Sequence, residues 1–207
     1  MAFIKNRSSD AVDQDERKMP RDCASLVLEL DNPDPMVRRW AARDLADCHE
    51  AAGDLVSRLR REDDASVREI IFSTLTGLGD ETAVAGLVEC LRSEDASLRN
   101  EAIEAMQQLP DEVAPIMLGL LADPDADLRI FAVNILESLR HPGVEHWLIE
   151  VIEHDAEINV CATAVDLLGE VGSTAAGEPL KRLKARFADE PYIQFAADLA
   201  LKRIAEG

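Results

Sequence analysis

The residues best suited to chemistry crowd into one stretch. His141, His146 and His154 stand among Glu145, Glu150, Glu153, Asp155 and Glu157, with His49 far upstream. Imidazoles and carboxylates together could ligate a metal or move protons. His146 and Glu150 are four residues apart and share one face of a helix. A metal site needs three or four converging ligands, and the HExxH spacing is absent, so no metal ligand is assigned. Cys161 falls near a helix start, where the dipole could lower a thiol pKa. No histidine is placed as its base, since His154 lies seven residues back. The plainer reading is a small buried residue. There is no GxGxxG or GxxxxGK(S/T) loop to cradle a phosphate. No catalytic residue and no cofactor are expected.

A second set of reactive-looking side chains recurs. Arg38, Arg68, Arg99 and Arg129 each lie four residues after a carboxylate: Asp34, Asp64, Asp95 and Asp125. A column of guanidinium groups could form an anion groove. The structural reading is preferred, because the planar fork of arginine suits fixed ties between stacked units. The column breaks at Cys161 and Gln194, and Asn159 stands where the preceding unit has Asp127.

These positions belong to a repeat. The apolar residues Val37, Val67, Leu98, Leu128, Val160 and Ile193 are spaced by 30, 31, 30, 32 and 33 residues. Three residues before each stands Asp34, Asp64, Asp95, Asp125, Glu157 or Glu190, suited to cap a helix N-terminus. Four and eight residues after it come pairs such as Ala41/Leu45, Ala102/Met106 and Ala164/Leu168. That is the buried stripe of a helix, with a small residue where helices approach closely. Shorter amphipathic segments, such as 83–93, 113–123 and 144–154, supply a partner helix for each unit. The fold expected is all-α: a right-handed α-solenoid of about six helix pairs (A then B) over 22–207. Residues 1–21 are polar and aperiodic, and are read as a flexible tail.

The pattern D-x-x-(V/L)-R-x-x-A-x-x-x-L at a period near 30 resembles HEAT repeats, specifically the bacterial phycobilisome-lyase-like type. That resemblance implies A helices on the convex side and B helices on the concave side, with each arginine bonding a turn carboxylate of a neighbouring repeat. Deoxyhypusine hydroxylase, also built of HEAT repeats, holds two irons on four His-Glu pairs. This chain has one pair, His49-Glu50, following a B helix, so no iron site is expected. Other members attach or detach bilins on light-harvesting proteins. HEAT-like DNA glycosylases need a basic channel.

Charge narrows the function. With 22 Lys+Arg and 41 Asp+Glu the net charge is −19, which repels phosphate backbones and anionic membranes. The longest uncharged stretches, 70–79 and 113–122, fall short of the roughly 20 residues of a membrane span. No apolar segment follows the first residues, so no signal peptide is read and a cytoplasmic location is expected. Cys23, Cys48, Cys90 and Cys161 form no CxxC pair and are expected as reduced thiols.

The exposed side of each B helix falls two, three, six and ten residues after its anchor. Most such residues are polar. Trp40, Ile70, Ile130 and Phe131 are not, and with Arg39, Arg43 and Asn134 they form the expected partner-binding face. The leading expectation is a non-catalytic scaffold or adaptor. It would bind another protein, of basic or mixed charge, on the concave face; the oligomeric state is left open. The alternative is a lyase-like or chaperone-like subunit assisting attachment of a cofactor, bilin or metal, to a partner protein.

Overall fold

The computed structural model describes residues 22–206; the tail assigned to 1–21 lies outside them. Twelve α-helices, and no strand, occur among the described residues. They alternate in two rows. The A row holds α1 (Cys23–Glu29), α3 (Ala52–Leu59), α5 (Glu81–Cys90), α7 (Pro110–Leu121), α9 (Val144–His154) and α11 (Gly177–Arg186). The B row holds α2 (Pro35–Asp44), α4 (Ala65–Leu78), α6 (Ala96–Met106), α8 (Ala126–Leu136), α10 (Ile158–Val171) and α12 (Pro191–Glu206). Each A helix packs on the B helix that follows it, and each B helix packs on the next B helix. This is the solenoid of six pairs.

The turn before each B helix is built by two side chains. The cap aspartate accepts a backbone N–H of the first turn: Asp34 from Met36 at 2.9 Å, Asp64 from Ser66 at 2.9 Å, Asp95 from Ser97 at 2.9 Å and Asp125 from Asp127 at 3.0 Å. Two residues earlier, Asn32, Glu62, Ser93, Asp123 or Asp155 accepts the N–H of the cap residue itself, at 2.8–3.1 Å. Glu157 occupies the fifth cap without a side-chain bond.

The expected stripe is the core. Val67, Ile71 and Leu75, then Val160, Ala164 and Leu168, have no solvent exposure. The stripe loosens only at the two ends, where Val37 and Leu201 are half-buried. Gly86 marks a close crossing in the A row. A Cβ there would lie 2.2 Å from Val56 Cγ2, so only glycine lets α5 lie against α3. α4 closes on Gly79, at φ 57°, a left-handed cap that glycine adopts without strain.

Two of the four thiols differ from expectation. Cys23 and Cys48 form a disulfide, with Cα atoms 5.9 Å apart. The short 3₁₀ turn Leu45–Asp47 after α2 returns the chain to the start of α1, a closure that 25 residues of separation conceal. Cys90 and Cys161 are buried free thiols. No described helix is long and apolar enough to cross a membrane.

Candidate functional site

The arginine column ties the repeats together, with a shift of partner. Arg38 forms a bidentate pair with Glu62 at 2.8 and 2.7 Å, and donates to the carbonyls of Asn32 and Pro33 in its own turn. Arg58 also donates to Glu62, at 2.9 Å. Burial by itself would raise the Glu62 pKa, but the bonds from Arg38 and Arg58 overcome it and hold the group at about 2. Arg129 grips Asp155 the same way, at 2.7 and 3.0 Å. Asp34, Asp64 and Asp125 therefore act as caps, and the inter-repeat partner is the carboxylate two residues before the next cap.

Repeat three shows the rule by breaking it. Ser93 occupies the position of Glu62, so Arg68 reaches the cap Asp95 instead, at 2.8 Å, and leaves its own Nε without a partner. Arg99 donates to Ser93 O at 2.6 Å and lies over the Phe131 ring at 5.3 Å, while Asp123 is taken by Arg92.

Cys161 fills the place of the missing fifth arginine. It is fully buried, and burial raises its pKa, the opposite of an activated nucleophile. Its Sγ–H donates to Asp155 O at 3.4 Å and its sulfur accepts from Arg186 at 3.3 Å. The histidines do not converge. His141 stacks on Trp147, with centroids 4.8 Å apart; His146 is exposed; His154 sits against Glu150 of its own helix.

The expected partner-binding residues fall into two groups on the B row. On α2, Trp40 is 43 % exposed with the Arg43 guanidinium 4.2 Å above its ring, and Arg39 is exposed beside them. On α8, Ile130, Phe131 and Asn134 are half-buried; Asn134 O accepts from Gln107 of the preceding repeat at 3.0 Å. Ile70 on α4 is half-buried as well, and packs on the core with Ile130 and Phe131. Three B-helix steps at about 8–10 Å each separate α2 from α8. The position of Trp40 explains its exposure. The equivalent Ile70, Glu101, Phe131, Thr163 and Ala196 are each covered by the B helix before them, and among the described residues no helix precedes α2 in that row.

Clefts separate neighbouring B helices. One of about 460 Å³ lies between α4 and α6, edged by Glu69, Phe72, Glu101 and Glu104. Another of about 180 Å³ lies between α8 and α10, edged by Val133, Glu137, Asp166 and Glu170. Sequence reading missed the apolar end at repeat six. Applying the same spacing to Ile193 reaches Phe195 and Leu199, which are 67 % and 38 % exposed, next to Tyr192 at 53 %. The spacing that marks Trp40 and Phe131 in the other repeats is the signal for this end.

An α-solenoid with a continuous face of parallel helices defines a class of repeat protein whose surface is its working part. The family model for HEAT repeats matches residues 23–107, 52–123 and 113–202, and the chain belongs to that family. It is 26 % identical over 197 residues to the "uncharacterized phycocyanin operon protein Z" of Pseudanabaena tenuis, covering 87 % of this chain and 94 % of that protein. The complex of CpcE and CpcF of phycocyanin lyase from Nostoc is similar at 17 % identity and TM-score 0.39, over 98 % of this chain and 100 % of that one. Human deoxyhypusine hydroxylase is similar at 16 % identity and TM-score 0.47, over 89 % and 85 %.

Proposed function

We propose that the chain is a non-catalytic adaptor that holds a partner protein along its B-helix face. One observation carries this reading. In repeats two to five the solvent-facing B positions include Glu69, Glu104, Asp166 and Glu170, and no lysine or arginine. A face of one sign selects a partner of the other and speeds encounter with it. Trp40, with Arg39 and Arg43, offers an aromatic anchor at one end; Ile70, Ile130, Phe131 and Asn134 offer shallower contacts inside the array. The partner is a protein with a basic or mixed-charge surface, and neither nucleic acid nor membrane fits so acidic a face. Affinity capture with the full chain, compared with its Trp40→Ala/Phe131→Ala form, tests this. Loss of one captured protein at unchanged helicity supports it; equal capture by both refutes it.

A second reading rests on the relative from the phycocyanin operon: a lyase-like or chaperone-like subunit assisting attachment of a bilin or a metal. Titrating the protein with bilin and reading visible absorption tests it, and an unshifted spectrum removes it. A cytoplasmic location belongs to the first reading, and the Cys23–Cys48 disulfide counts against it. Thiol labelling in a native extract checks it: Cys23 found free agrees, and Cys23 found wholly oxidised contradicts it.

A further inference from the structure

We infer that α12 is a self-association surface, and that two copies of the chain pair through it antiparallel about a two-fold axis. This goes beyond the adaptor reading and uses different residues. Tyr192, Phe195, Leu199, Lys202 and Glu206 follow at steps of three and four and lie along one exposed side of α12. That is the seam spacing of paired helices. α12 packs on α10 and α11, and Phe195 in mid-helix is 67 % exposed.

Charge chooses a second copy as the occupant. Asp189 and Glu190 stand at the N-terminal end of the helix, Lys202 and Arg203 near its C-terminal end. An antiparallel two-fold with Phe195 of each copy against Leu199 of the other sets Lys202 opposite Tyr192, about one turn from Asp189. The ammonium then meets both a ring face and a carboxylate, twice over. The wider charge distribution agrees. Repeat six, 172–207, has six basic and five acidic side chains, whereas repeat five, 142–171, has seven acidic and none basic. Pairing through α12 brings together the end that is not negative. Of the acidic side chains of repeat five, Asp166 reaches the seam, where it accepts the Tyr192 hydroxyl at 2.7 Å and holds that ring in place; charges more than a Debye length away, roughly 8 Å in physiological salt, are largely screened.

The test is light scattering during gel filtration of the full chain, with sedimentation equilibrium for the dissociation constant. The wild type is expected at twice the 22.7 kDa chain mass. Phe195→Glu is expected at the single-chain mass with unchanged helicity, since the residue supports no core. Trp40→Glu is expected to remain dimeric. Lys202→Glu is expected to weaken the dimer about tenfold, and adding Asp189→Lys to restore it. A wild type that stays monomeric up to about 100 µM overturns the proposal. So does a dimer that Phe195→Glu leaves intact, or an open series of larger species that Trp40→Glu also blocks, which would mean head-to-tail stacking. Partner capture by the Phe195→Glu monomer keeps this outcome separate from that of the adaptor reading.

Discussion

The junction between repeats one and two and the junction between repeats five and six answer the same need with different side chains. The last carbonyls of an A helix and those of the turn that follows it have no intrahelical donor. At the first junction Arg38 supplies donors to Asn32 O and Pro33 O from its own repeat, and its remaining N–H groups hold the buried Glu62 of the next. At the other, Cys161 offers one weak donor to Asp155 O, the carbonyl six residues before it, as Asn32 O is to Arg38. The rest comes from the neighbouring repeat: Arg186 on α11 donates to Ile152 O and Asp155 O at 2.9 and 2.8 Å. Gln194 continues the theme, bonding the carbonyls of Lys184 and Phe187 at the end of α11. What is kept is a side-chain donor to the carbonyls at the turn between A and B helices. The residue that supplies it can change, and it can come from the adjoining repeat.

Removing each donor breaks this comparison in order of burial. Arg38→Ala strands the Glu62 carboxylate, whose side chain has no exposure, with Arg58 alone, and is expected to cost about 3–4 kcal/mol. Thermal or urea unfolding reads it, and a loss under 1 kcal/mol would mean that Arg58 suffices. The pH dependence comes next. Glu62 has a pKa of about 2 in the fold against 4.5 as the ordinary value. Its stabilisation is complete above 4.5 and disappears as the pH falls through 2, about 3 kcal/mol over that window. Glu62→Gln is expected to lower stability at neutral pH and to flatten that acid limb.

Smaller effects sharpen the other side. Arg186→Ala removes charged donors from the partly buried Ile152 carbonyl and the exposed Asp155 carbonyl, and is expected to cost about 1.5 kcal/mol. Cys161→Ser keeps a donor of similar size in a dry site and is expected to cost about 1 kcal/mol or less. If Cys161→Ser costs more than Arg186→Ala, the sulfur and not the arginine holds the junction.

Much of the architecture was legible because its causes are local. The spacing from Val37 to Ile193 reports helix packing directly, and Asp64 or Asp95 acts within its own turn. Which turn carboxylate each arginine takes was not legible, since Glu62, Asp155 and, for Arg68, the cap Asp95 are chosen by the reach of an arginine across a repeat boundary. The Cys23–Cys48 bridge depends on where a short 3₁₀ turn sends the chain, and no spacing encodes that. Trp40 reads in sequence like its half-buried counterpart Phe131; only position at the end of the row separates them. Arg186 was invisible as a replacement for the missing arginine, because it lies 25 residues from Cys161.

The account depends most on the acidic B-helix face being where a partner sits. Carbodiimide labelling of carboxylates, read by mass spectrometry with and without the captured partner bound, tests that directly. The account predicts protection of Glu69, Glu104, Asp166 and Glu170, with Asp54, Glu81 and Glu112 on the A helices labelled equally in both states. Protection confined to the A-helix carboxylates, or none on the B face, would contradict it.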